Sequence, residues 1–149
     1  MIYNHFEEPE EMPGLKGKGM EYNTICWKCT IGVNGGYELE DQIKMPMEDI
    51  TEIYLKTAEE VRAETGVYIS AVISESRTLY SPEWGCPEEG EYSYTLSGSC
   101  NPAFAKQEEY LHALNMIAKL LKERLKQSTL LLEISPANLI YMTDDQNTK

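Results

Sequence analysis

The sequence predicts an α+β domain: a mixed β-sheet with two α-helices packed on one face, in the order β-β-α-β-β-α-β. Three features lead there. Apolar and polar residues alternate between Asn23 and Val33, two later segments repeat apolar residues at helical spacing, and a short, very apolar run from Ser128 to Ile134 follows the second of these.

Residues 1–22 set Glu7, Glu8, Glu10 and Glu11 among Pro9, Pro13, Gly14, Gly17 and Gly19, show no apolar period, and read as an irregular acidic leader. A single domain is expected over 23–142, opening with Ile25, Trp27, Cys29, Ile31 and Val33 on one side of a strand and Lys28 and Thr30 between them. Asn34-Gly35-Gly36 reads as a hairpin turn, because Asn and Gly accept positive φ, and Tyr37 to Glu40 as the short return strand. Pro46 to Gly66 forms the first helix, with Ile50, Tyr54, Ala58 and Val61 on its buried face and Glu52 and Lys56 paired on the outer one. Val67 to Leu79 is a long strand carrying Val67, Ile69, Ala71, Ile73 and Leu79 on one face, which Glu75 and Arg77 share toward its far end.

Between Tyr80 and Glu91 the density of Pro and Gly excludes regular structure, so a loop presents Trp84. A strand resumes at Tyr92 to Gly98. After Asn101-Pro102, Lys106 to Lys126 forms the second helix, buried along Tyr110, Leu114, Ile117, Leu121 and Leu125. Ser128 to Ile134 is expected to be a short central strand, and residues 143–149 a frayed tail. The sheet face opposite the helices would expose apolar residues such as Val72, which points to a homo-oligomer.

The chain has 149 residues, 42% hydrophobic and 26% charged, enough to bury a core without a disulfide framework or a structural metal. No apolar run approaches the ~18 residues that cross a membrane, and the acidic start, Met1 to Glu11, is unlike a secretory signal. The expectation is a cytoplasmic protein with no membrane partner. A net charge of -12 repels polyanions, so no direct nucleic-acid binding is expected.

Cys26 and Cys29 have the spacing of a metal pair, but residues three apart on a strand point to opposite faces and cannot grip one ion. Cys86 and Cys100 have no matching His, and no disulfide is expected in a cytosolic chain. The two histidines, His5 and His112, lack a carboxylate or nucleophile at motif spacing, and no hydrolase elbow, phosphate loop, dinucleotide fingerprint or zinc-helix motif occurs. The expectation is therefore a protein that is not an enzyme, with no catalytic residue, no metal ligand and no cofactor.

His112 shares a helix face with Asn115, Lys119, Lys122 and Lys126, and with Arg124 nearby the three lysines concentrate positive charge in an acidic chain. Cations near a helix C-terminus are favourable whatever the function. In the functional reading they form an anion site with Arg77, while Trp84, Tyr80, Tyr92 and Tyr94 offer stacking faces and Asn101 a donor and acceptor for a base or ribose.

The segments 77–91, 97–102 and 121–129 together resemble the bacteriophage anti-Thoeris sponge proteins. That resemblance implies an oligomer that sequesters a small anionic nucleotide signal, of the cyclic ADP-ribose or cyclic oligonucleotide type, in pockets between subunits and without cleaving it. It implies ligand-binding roles for an aromatic side chain at Trp84 or Tyr92, for Asn101, and for Arg77, Lys119, Lys122 and Arg124 at phosphates. The element order is also similar to the tautomerase superfamily, trimers with a catalytic N-terminal proline; residue 1 here is Met, so that activity is expected to be absent. A third reading is an acidic inhibitor that mimics nucleic acid toward a defence nuclease, using the glutamates at 7–11 and 83–91.

Overall fold

The computed structural model describes residues 10–11, 18–33 and 44–144. The alternating strand runs from Lys18 to Gly32 (β2), beginning inside the segment expected to be an irregular leader, and Glu10–Glu11 (β1) pair with it at Glu21 and Met20. Met20, Tyr22 and Thr24 alternate with Glu21 and Asn23 on the parity opposite to that of Ile25 to Val33, and this change of phase, together with the proline and glycine count, obscured the first half of the strand. The hairpin turn at 34–36 and return strand at 37–40 lie outside the described residues.

Met47–Thr65 (α1) and Gln107–Arg124 (α2) are the two helices, and Val72–Thr78 (β3), Glu91–Ser99 (β4) and Leu131–Thr143 (β5) complete the sheet. β5 pairs with β2 along thirteen residues on one edge, β4 and β1 share the other edge, and β3 lies outside β4. Every pair is antiparallel, so the sheet is not mixed among the described residues. The reason is topological. Each helix crossover joins two strands of like direction, β2 to β3 and β4 to β5, but in each case a third strand is inserted between them, which is the split β-α-β plan. β5 is correspondingly an edge strand rather than the short central one expected, and an edge tolerates Pro136, which has no N–H to give a further neighbour.

The core lies between the sheet and the helices. Ile25, Trp27, Cys29 and Ile31 of β2 and Tyr94 and Leu96 of β4 meet Ile50, Tyr54, Ala58 and Val61 of α1 and Tyr110, Ala113, Leu114, Ile117 and Leu121 of α2. Val67 and Ile69 join this core from the extended approach to β3, whereas Leu79, expected on the same face, is exposed beyond the strand end. Trp27 lies opposite Gly98 in the register, and a Cβ at Gly98 would stand 2.8 Å from the indole nitrogen and 2.7 Å from the Ser70 carbonyl oxygen. Only glycine leaves room for that ring, whose N–H donates to the Tyr110 hydroxyl on α2 at 2.8 Å. The helices are tied to each other by Arg124, which donates to the buried Thr57 hydroxyl at 2.7 Å and pairs with Glu60.

Tyr110→Phe leaves the buried indole N–H without its acceptor at a cost of roughly 1–3 kcal/mol, and thermal melts are expected to show a fall of about 3–10 °C. An unchanged melting temperature would mean that this contact does not fix α2 on the sheet.

Candidate active site

The sheet face turned away from the helices is made of short hydroxyls. Thr30 of β2, Ser93 and Thr95 of β4, and Ser76 and Thr78 of β3 fall on it by strand alternation and register. They bond to one another: Thr78 donates to Ser93 at 3.0 Å, Ser76 and Ser93 are 2.9 Å apart, and Thr95 donates to Ser76 at 3.1 Å. Over this floor lies a groove of about 1040 Å³, walled on one side by Leu79, Tyr80 and Trp84 and on the other by Lys126 to Leu131, with Arg77 and Glu91 at its margin.

Backbone chemistry holds each wall. Ser81 caps a short 3-10 turn, Pro82–Trp84, by accepting from the Glu83 N–H, and the Cys86 sulfur accepts from the Tyr80 N–H at 3.4 Å. The far wall begins where α2 ends: the Lys126 N–H reaches the Glu123 carbonyl and the Gln127 N–H the Lys122 carbonyl, the paired bonds of a Schellman motif. That motif puts Lys126 at φ 54, and Lys126 is the one non-glycine residue with positive φ among the described residues. Such a conformation costs of order 1–3 kcal/mol for a residue with a side chain.

Between the walls, Glu91 and Gln127 converge above Gly32. A Cβ on Gly32 would stand 2.5 Å from Glu91 Oε1 and 2.8 Å from Gln127 Oε1, so the bare glycine makes room for both oxygens. The Gln127 amide nitrogen donates to the Leu125 carbonyl at 2.9 Å, which directs its oxygen toward this point. Sequence reasoning missed Glu91 and Gln127: Glu91 reads as the last of an acidic run, and only the register that sets it opposite Thr78 beside the groove separates it from Glu88 and Glu89.

Of the residues singled out from the sequence, Arg77, Tyr80 and Trp84 border the groove, and Trp84 is exposed. Arg77 is already engaged, donating to the Glu89 carbonyl at 2.9 Å and lying 4.8 Å from the Tyr92 ring centroid. Tyr92 thus faces Arg77 on the helix side of the sheet, in a smaller hollow with Lys44 and Glu75, which pair at 3.0 Å. Asn101 accepts from the Ala103 N–H at 3.0 Å and shapes its own turn. Lys119, Lys122 and Arg124 lie on α2 and are not among the groove's lining residues, and Arg124 serves the helix pair.

All four cysteines are free. Cys29 is buried, which pushes its thiol up to about 11 and keeps it protonated, while Cys26 sits on the other face 3.2 Å from the Ser135 hydroxyl. Among the described residues no three His, Cys, Asp or Glu side chains converge as a metal site would, and no helix is long and apolar enough to cross a membrane.

The family model for SAM lyase matches residues 22–143. A solved phage SAM lyase in its apo state shares the fold with a TM-score of 0.54 and 16% identity, over 81% of this chain and 90% of that one. A phage SAM lyase in complex with S-methyl-5'-thioadenosine aligns with a TM-score of 0.50 and 18% identity, over 90% of this chain and 97% of that one. No match is found among the curated proteins. The phage context of the sponge resemblance therefore holds for the solved neighbours, but the rest is corrected: non-enzymatic sequestration, a nucleotide signal as ligand and the anti-Thoeris assignment give way to a family of enzymes. The sponge resemblance rested on a capped turn, the Asn101 turn and the end of α2, where local backbone geometry dictates the residue types whatever the function. The match instead spans β2 to β5, all of the core and both walls of the groove, and the chain belongs to the SAM lyase family.

Proposed function

We propose that this chain cleaves S-adenosylmethionine to S-methyl-5'-thioadenosine in the groove above the hydroxyl face. The family match over residues 22–143 carries this reading. A lyase adds no water, and the substrate supplies what the reaction needs. Its carboxylate attacks the γ-carbon of the amino-acid part, the C–S bond breaks with its electron pair going to sulfur, and the products are a neutral thioether and an aminolactone that keeps the ammonium charge. The sulfonium leaves without protonation, so no acid is required; the site has to fold the amino-acid chain so that carboxylate and γ-carbon meet.

The groove suits those demands. Trp84 and Tyr80 offer flat faces for the adenine, and the hydroxyl floor offers donors and acceptors for the ribose. Glu91 is best used on the α-ammonium. Its charge persists through the reaction, whereas a carboxylate held against the sulfonium would stabilise the ground state most and slow the step. Leu79, Trp84 and Leu131 stand exposed around the groove, and we propose that a second copy of the chain covers them.

Three outcomes are expected. Purified protein incubated with S-adenosylmethionine yields S-methyl-5'-thioadenosine and lactone by mass spectrometry, with no oxygen-18 taken up from labelled water into freshly formed lactone; intact substrate overturns the reading. Glu91→Gln lowers kcat/KM about ten- to hundredfold, the worth of a charge-assisted contact, and Gly32→Ala lowers it about tenfold by displacing the Glu91 carboxylate. Because the atoms that must shift are the far ends of flexible side chains, Gly32→Ala melts within a few degrees of the parent. Light scattering at micromolar concentration reports a dimer or larger, and a monomer would refute the covering copy.

A further inference from the structure

We infer that Lys126 binds the carboxylate of the substrate's amino-acid part, an assignment that rests on the lyase reading. The starting point is the backbone. The position after a Schellman helix end belongs to glycine by default, yet here it holds a lysine at φ 54, the one such non-glycine residue among those described. Glycine would relieve the conformation and lose only a side chain. That side chain belongs to a residue lining the groove.

Charge in the groove points the same way. Its charged lining residues are Arg77, Glu91 and Lys126. Arg77 already holds the Glu89 carbonyl, lies 3.7 Å from the Glu89 carboxylate and covers the Tyr92 ring, so its guanidinium is committed. Gln127, the next residue after Lys126, reaches the same point over Gly32 as Glu91, so Lys126 lines the groove one residue along the chain from a neighbour of the anion. The amino-acid end of S-adenosylmethionine is a zwitterion, and a paired negative and positive side chain is its complement. Glu91 takes the ammonium and Lys126 the carboxylate.

The kinetic signature follows from the chemistry. The carboxylate loses its charge as the lactone closes, so a lysine on it stabilises the bound substrate more than the transition state. Lys126→Gly is expected to raise KM for S-adenosylmethionine about tenfold or more, with kcat unchanged or higher. Affinity for S-methyl-5'-thioadenosine, which lacks the amino-acid end, stays at the parent value in calorimetric titration, and Lys126→Arg restores most of the KM. The same glycine variant melts about 2–4 °C higher, because the left-handed backbone is relieved. A solubilising helix-end lysine would give the gain in melting temperature alone. An active parent whose Lys126→Gly variant keeps its KM within twofold overturns this inference and leaves the lyase reading standing; a parent that leaves S-adenosylmethionine intact overturns both.

Discussion

Strand β2 is hydrogen-bonded along both edges, and its two faces do different work. Ile25, Trp27, Cys29 and Ile31 face the helices and hold the core, while Thr30 and Gly32 face the groove. A slip of one residue against β4 or β5 would exchange these sets, burying a threonine among aliphatics and setting a tryptophan on the groove floor. Register on this strand therefore determines the core and the site together. Gly98 secures it, since the Trp27 ring fits against the sheet at one place only, and from there the indole sets the position of α2.

The charge of the chain takes a different meaning once the family is known. A net charge of -12 counts against an anionic ligand and favours a cationic one, and S-adenosylmethionine, with its sulfonium and ammonium, carries a net positive charge. Both arginines assigned to phosphates are engaged within the protein: Arg124 joins the helices and Arg77 holds its loop.

Much of the fold was legible. Both helices fall where apolar residues recur at three- and four-residue steps, and β2 and β4 where they alternate, because these periods reflect burial on one face. The antiparallel plan was not legible, since a helix crossover looks the same in sequence whether or not a third strand enters between its ends. Nor was the length of β5, because Leu131–Thr143 is half-exposed and carries Pro136 and Asn138. At the site, Trp84 was visible through the rigidity of its loop, as was Arg77 through its rarity. Glu91, Gln127 and the role of Gly32 depend on three segments meeting in space, and no spacing along the chain encodes that meeting. Lys126 stood in the sequence as one more lysine on a helix; the backbone angle that distinguishes it exists only in the folded chain.

The hydroxyls of the groove floor bond largely to one another, and none of them belongs to the buried apolar cluster. Ser, Thr and other short residues can therefore be exchanged there with little effect on what holds the helices to the sheet. Such a layout separates inheritance of the scaffold from inheritance of the ligand-facing surface: one can stay fixed while the other drifts. The solved phage SAM lyase structures keep this fold at 16% and 18% identity to this chain, a divergence such a separation permits.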